Sequence, residues 1–441
     1  MPRSTTLLLP LEEMFKIPIF SEMKKRIIYL FLACAYAACG WNCTGGSCQD
    51  RPSDTITVAC YYFPGYHTRD SSELRYSLQH SNDWSEWELV KEAKPRFEGH
   101  RQPYVPVWGY EDEKDPAVMA KKIRAAATHG VDAFIFDWYW YEGGPFLNRC
   151  LDEGFLGAPN TDSLKFALMW ACHDWSDRFP ATAGRKKTPM YSASVDSAGF
   201  ETMGDVLVRD YFTRPNYWMI DGKPFFSIYN VPAFVQGLGS LAAARRAMER
   251  LDAKAMRAGL EGVHWNLLAF GTPVLPGEQV ATDQAELQRR LGANSSTSYV
   301  WVTHTTLPDR ETDYNLVRDQ YMAHWDTVRT QYDAPYFPNI TVGWDASPRT
   351  NQSEPWVGGG GADYPYMNIV VNNTSENFKK VLEMTKERLL ADPNGPRALT
   401  INCWNEWTEG SCLEPDTLYG MAYLDALKEV CLLYTSDAAD E

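Results

Sequence analysis

The chain has 441 residues, a formal net charge of −15 and 44% hydrophobic residues. That length suits one large domain or two ordinary ones. The negative balance argues against nucleic acid or an anionic membrane surface as a partner, since both are met by basic patches. Aromatic residues reach 13%, with 16 tryptophans and 24 tyrosines, an excess that fits a large core or a carbohydrate-binding cleft.

Both ends are set aside before the fold is read. Residues 1–22 read as an upstream extension ahead of a start at Met23. Met23-Lys24-Lys25-Arg26 is basic, and residues 27–38 form an apolar stretch too short to cross a bilayer. Small residues and Cys39-Gly40 follow, so residues 23–39 read as a secretory signal. Ala37-Ala38-Cys39-Gly40 is similar to a bacterial lipobox, in which Cys39 would carry the lipid; simple secretion is the alternative. The protein is therefore expected outside the cytoplasm, as a surface or periplasmic lipoprotein or a secreted protein, and residues 40–54 as a tether. Residues 431–441 resemble an in-frame translation of a sequencing adapter and are expected not to belong to the protein.

Between these ends, apolar β-rich runs alternate with helical spacing. Strands are predicted at 56–62, 131–139, 164–171, 224–229, 264–270, 298–303, 340–344 and 398–404. Several are continuously apolar, as strands covered on both faces are. Asp115-Pro116 opens a helix that Gly130 ends. Further helices are predicted at 241–258, 313–330 and 375–391, the last capped by Ser375. The pattern predicts an α/β fold, a single-domain (β/α)8 TIM barrel with long βα loops over residues 55–430. An open doubly wound sheet is the competitor, and the first strand lacks the Gly-rich phosphate loop it would carry. Cys60, Cys172 and Cys403 sit in apolar runs as small hydrophobes. Cys43 could pair with Cys48, and Cys150 or Cys412 with a neighbour. No Cys or His spacing points to a metal, and no cofactor is expected.

In such a barrel the reactive groups stand at the C-terminal ends of the strands. Tyr62 ends the first strand and His67 follows it, Asp137 and Trp138 end the second, and Trp170 and His173 the third. Trp344 and Asp345 end the seventh. The eighth runs into Trp404-Asn405-Glu406-Trp407-Thr408-Glu409-Gly410, two carboxylates three residues apart between indoles. Cleavage of a glycosidic bond needs two carboxyl groups, one to protonate the leaving oxygen and one to meet the charge or activate a nucleophile. Glu406 and Glu409 are the catalytic candidates. Asp137, Asp345 and His173 are candidates for holding hydroxyls, and Trp138, Trp170, Trp344 and Trp407 for stacking on sugar rings. Tyr62 and His67 join them as substrate-binding candidates. Glu86 and Glu98 are expected at the cleft rim or tying down the long loop after the first strand.

The chain resembles the WbsX-like family, related to the family 99 endo-mannosidase glycoside hydrolases. The resemblance rests on Tyr61-Tyr62-Phe63-Pro64-Gly65-Tyr66-His67, Trp84-Ser85-Glu86-Trp87, Lys94-Pro95-Arg96-Phe97-Glu98-Gly99-His100, Gln102-Pro103, Asp221-Gly222-Lys223-Pro224, Gly343-Trp344-Asp345, the Trp404–Gly410 segment and Leu413-Glu414-Pro415. It implies a barrel that acts on glycans. It also implies Glu409 as general acid and then base, with Glu406 assisting a sugar 2-hydroxyl in attack on its own anomeric carbon, with net retention. The residues alone ask only for two carboxylates, and leave this route, a covalent glycosyl-enzyme and inversion open.

The expected activity is therefore an exported, endo-acting, retaining glycoside hydrolase, with a polysaccharide or glycan, α-mannose-containing in one reading, as its partner. The alternatives are a glycosyltransferase of surface polysaccharide assembly and a non-catalytic glycan-binding lipoprotein. An export signal counts against the first, since nucleotide-sugar donors are cytoplasmic. The paired glutamates count against the second.

Overall fold

The computed structural model describes residues 55–185, 187–272, 280–356 and 363–432. The expected extension, signal, tether and most of the expected adapter segment lie outside these residues. A parallel sheet closes on itself into a barrel. Its strands are β1 (Thr57–Tyr62), β2 (Ala133–Tyr141), β3 (Lys165–Trp170), β4 (Lys223–Ile228), β5 (His264–Leu268), β6 (Ser295–Thr297), β7 and β8 (Ala398–Asn402). β7 comes in two segments, Tyr336–Phe337 and Asn339–Thr341, on either side of Pro338. The first segment pairs with β6 and the second with β8. β8 then pairs with β1 through Thr57↔Ala398, and the ring is complete.

The helices form the outer layer: α1 (Pro116–Thr128), α2 (Ser197–Val206), α3 (Leu241–Arg257), α4 (Gln284–Leu291), α5 (Tyr314–Gln331), α6 (Ser375–Ala391) and α7 (Ala422–Cys431). Their starts follow cap chemistry. Asp115 accepts from the Ala117 N–H at 2.8 Å, and Asp313 from that of Asn315 at 2.8 Å. At α6 the cap is Thr374, which accepts from Asn377 at 3.3 Å, so Ser375 is the first helical residue and not the cap. α7 runs through Cys431, one residue into the segment expected to be foreign. No helix among the described residues is long and apolar enough to cross a membrane.

Two strands lie upstream of their predicted places. β6 occupies Ser295–Thr297, while 298–303 is a loop closed by a turn at Trp301–Thr303. The polar residues that form β6 carry no apolar signal, because their neighbours on both faces are polar too. Towards the barrel interior Ser295 Oγ accepts from the Asn266 amide at 2.9 Å and Thr297 Oγ1 meets Thr400 Oγ1 at 3.0 Å, while Ser296 Oγ accepts from the Gln288 amide of α4 at 2.8 Å. β7 ends at Thr341, short of Trp344. Cys150 and Cys412 are free thiols, so neither forms the disulfide considered for it.

Strand alternation sorts the side chains. On β2, Asp137 and Tyr139 point into the barrel mouth. Trp138 between them turns outward onto Tyr211 of the helical layer, with ring centroids 6.0 Å apart.

Candidate active site

A cavity of about 890 Å³ opens at the C-terminal ends of the strands. Its lining includes Asp137, Tyr139, His173, Tyr229, Tyr299, Trp344, Arg349, Glu406 and Glu409. Each comes from a strand end or from the loop beyond it, as a barrel enzyme requires.

The two glutamates are held by local geometry. β8 passes into a short strand at Asn405–Glu406, and a single helical turn at Trp407–Glu409 then brings Glu409 round. Gly410 ends that turn at φ +64°, a left-handed conformation. A Cβ at Gly410 would also lie 2.9 Å from the Asp345 Cβ, so only glycine lets the loops after β7 and β8 meet. There the Asp345 N–H donates to the Glu409 carbonyl at 2.6 Å. Asn405 clamps the same turn to the end of β1. Its side chain accepts from the Phe63 N–H at 2.8 Å and donates to the Phe63 carbonyl at 2.7 Å.

One guanidinium bridges the pair. Arg349 Nη2 donates to Glu406 at 2.9 Å, and Nη1 donates to Glu409. Its Nε lies 3.5 Å from Glu86. The Tyr364 hydroxyl donates to Glu409 at 2.6 Å. The Tyr299 hydroxyl lies 2.8 Å from Glu406 and 2.9 Å from Asp137. A phenol has one proton to donate, so two contacts of that length require a proton on one of the two carboxyls. Burial, joined by the charge of Glu409, pushes Glu406 up to about 8. Burial and then Glu406 also push Asp137 well above the usual carboxylate range. Burial raises Glu409 too, while Arg349 and the Tyr364 hydroxyl pull it back. The cavity thus carries a proton on the Glu406–Tyr299–Asp137 side. Burial lowers His173 to about 4, so its imidazole is neutral.

The structure brings Glu406, Glu409, Asp137, His173 and Trp344 to the cavity, and places the other sequence candidates elsewhere. Trp170 turns outward and packs on Phe200 and Phe234. Tyr62 also faces the helical layer, its hydroxyl 3.3 Å from the Met119 sulfur. His67 is sealed beneath the loop after β1, where burial lowers it to about 3. Asp345 is engaged by His100 at 2.9 Å and by Gln102 at 2.6 Å, which fasten that loop to the barrel. Burial alone would raise the Asp345 carboxyl, but His100 and its other donors hold it below the usual range. Trp407 lies under the site. Its indole and that of Trp404 each donate to Glu414 at 2.8 Å. Glu414 and Glu113 share the buried Lys122 ammonium at 2.5 Å each. Glu98 is exposed, whereas Glu86 is fully buried beside Arg349 and not at the rim.

Arg349, Tyr299 and Tyr364 went unassigned in the sequence. Arg349 alone had a signal: two buried carboxylates call for a nearby cation, and it stands five residues after the Trp344 that ends the seventh predicted strand. Among the described residues, no cluster of His, Cys, Asp and Glu is arranged to hold a metal.

A family model described as "Glycosyltransferase WbsX" matches residues 58–427. Two curated relatives, both an uncharacterized protein WxcX from Xanthomonas campestris pv. campestris strains, are 26% identical over 388 residues. Those residues are 87% of this chain and 51% of each relative, so the chain spans about half the length of the relatives it matches. Among solved structures, the GH99 endo-α-mannosidase of Bacteroides thetaiotaomicron with bis-tris-propane superposes with a TM-score of 0.52 at 13% identity, over 87% of this chain and 99% of that one. A protein described as glycoside hydrolase-like superposes at 0.50 with 14% identity, over 85% of this chain and 94% of that one. At such identities the likeness is one of fold: a glycosidase-like barrel.

Proposed function

The chain belongs to the WbsX family, described as glycosyltransferases, and we propose that it breaks glycosidic bonds in a glycan instead of forming them. The observation that carries this reading is the Glu406–Arg349–Glu409 bridge at the cavity floor. It holds two carboxyl groups together in the cavity at the strand ends. One guanidinium holding both carboxyls keeps them near each other, and retaining enzymes need the closer spacing of the pair, so retention is the outcome proposed.

In the proposed reaction, one carboxyl of the pair protonates the departing glycosidic oxygen while the other supports attack at the anomeric carbon. Asp137 and Tyr299 receive a sugar hydroxyl; Asp137 Oδ1 is buried with no partner of its own among the described residues. Trp344, Tyr139 and Tyr229 wall the ring. The family 99 resemblance assigns the acid to Glu409, whereas the contacts of Tyr299 place a proton beside Glu406. The acid is therefore proposed for the pair, and the leaving-group experiment below separates its members. The fold likeness to an endo-α-mannosidase makes α-mannans the first glycans to try. Export is likewise a proposal, resting on the basic and apolar stretch at residues 23–39.

The test is reducing-end release by the purified protein from α-mannans and a panel of bacterial and plant polysaccharides, with Glu406→Gln and Glu409→Gln alongside. Release that either variant loses is the expected result. Binding of a polysaccharide without release by the parent would sink the hydrolase reading in favour of a glycan-binding protein.

A further inference from the structure

A second cleft adjoins the cavity. Its walls are residues 177–178, 181–185 and 187 on one side and 363–366 on the other, around empty space of about 940 Å³ open to solvent. Arg178 lines both the cleft and the catalytic cavity. Tyr364 is the partition between them: its hydroxyl is on Glu409, while its ring lies 5.8 Å from the Arg178 guanidinium carbon. Asp177 and Arg178 line both spaces, so a group in the cleft would lie beside a sugar held in the cavity.

The cleft is positive within an acidic protein. Its cations are Arg178, Arg185 and Lys187, and its anions Asp177 and Asp363. Asp177 is already engaged: it accepts from Ser77 at 2.6 Å and from the Leu78 N–H at 3.2 Å, and lies 3.6 Å from Arg185. Arg178 and Lys187 share the rest of the cleft with Asp363, and Arg178 also acts on Glu409 in the cavity. The Lys187 ammonium makes no hydrogen bond or ion pair among the described residues. Partial burial and then the repulsion of Arg178 lower it to about 8. Two cations that raise each other's energy across a cleft are relieved by an anion between them. The cleft itself is set by backbone contacts: Ala181 exchanges hydrogen bonds with Arg349 at 2.7 Å and Asn351 at 2.8 Å, and its carbonyl also accepts from the Tyr366 hydroxyl at 2.7 Å.

We infer that this cleft is a subsite for the anionic group of an acidic sugar, a uronate carboxylate or a sulfate ester, held by Arg178 and Lys187 next to the bond to be cut. The inference rests on the reading of the central cavity as a glycan site, and makes the substrate an acidic polysaccharide.

The test is direct binding to the full chain, followed by nuclear magnetic resonance titration. The probes are methyl glucuronide, the sulfate ester of methyl glucoside, neutral methyl glucoside and uridine diphosphate. One or both acidic glycosides should bind at least about tenfold more tightly than the neutral one. Arg178→Gln and Lys187→Gln should each bring that ratio towards one, and Arg178→Lys should restore part of it. Lys187 is exposed, so its variant reports even if a change at Arg178 disturbs folding. Equal binding of acidic and neutral glycosides would overturn the inference. Tight binding of uridine diphosphate with no preference among the glycosides would also overturn it, and return the cleft to a nucleotide-sugar donor. Binding needs no turnover, so the two readings fail separately. Acidic preference without reducing-end release from any polysaccharide removes the hydrolase and keeps the subsite, whereas release indifferent to acidic groups does the reverse.

Discussion

Arg349 Nη2 stands 2.9 Å from Glu406 Oε1, with neither side chain more than slightly exposed. A buried guanidinium facing several carboxylates fixes how much negative charge the cavity floor can carry. Replacing it with an apolar side chain of similar length, Arg349→Met, strands Glu406, Glu409 and Glu86. Breaking a buried pair in this way costs about 3–5 kcal/mol. A lower denaturation midpoint is expected, with hydrolysis reduced on the order of 100-fold or more. Urea titration and initial rates check both; an unchanged midpoint would contradict the bridge.

The acid within the pair is identified by leaving groups. An aryl glycoside with an acidic phenol departs without protonation, so the variant lacking the acid keeps bond cleavage on it while losing activity on the glycan. The resemblance expects Glu409→Gln to behave this way, and the proton beside Glu406 expects Glu406→Gln. The variant lacking the other function should lose activity on both substrates. Rates on matched aryl and natural glycosides decide, and loss of both activities by both variants would contradict a division of roles.

Stability carries the mark of Glu406. Burial, with the Glu409 charge, raises its folded-state pKa to about 8. Between the usual carboxylate range and about 8, the folded protein holds a proton that the unfolded chain has released. The site's contribution to stability is therefore fully present at acid pH, declines as pH rises through that window, and is flat above it. Glu406→Gln cannot ionise and lacks the decline. Relative to the parent, the variant should gain a few kcal/mol of stability, roughly 3, between about pH 5 and about pH 8. Denaturant titrations at the two pH values measure it, and parallel curves would sink the assignment of the raised pKa.

Glu414 acts through the two indoles it receives. Glu414→Gln keeps a carbonyl oxygen for Lys122 and the Trp404 indole, which share Glu414 Oε1, but turns an amide towards the Trp407 indole. The buried ammonium loses a negative charge, Trp407 loses its acceptor, and the turn bearing Glu406 and Glu409 loosens. A fall of about 2–4 kcal/mol in stability is expected, together with a lower kcat at nearly unchanged KM. A fall in KM affinity with unchanged kcat would argue that Glu414 touches substrate instead.

The glutamates were legible because both lie in one contiguous segment after an apolar strand. The barrel was legible because its inner strands, such as the all-buried β2, read as unbroken apolar runs. Trp138 and Trp170 were misplaced through counting strand ends without alternation. Adjacent residues on a strand face opposite sides, so Asp137 and Trp138 could not both enter the cavity. Asp345 and Trp407 carry the chemistry of a sugar site but serve as fasteners, a distinction only their partners reveal. Tyr299 and Tyr364 come from irregular loops after β6 and β7, where no periodicity announces which tyrosine turns inward. β6 was displaced because a polar barrel interior at Ser295–Thr297 looks, in one dimension, like a turn.

The double hydrogen bond between Asn405 and Phe63 joins residues 342 positions apart. Contacts of such sequence separation are made late, since the intervening chain must first give up its freedom. The turn bearing the glutamates is seated through that contact and through Gly410 against Asp345, so it settles only once the barrel has come round on itself. On refolding, helical circular dichroism should therefore return ahead of activity. A partly folded chain would hold nearly all its helices and strands and still lack the seated pair of glutamates.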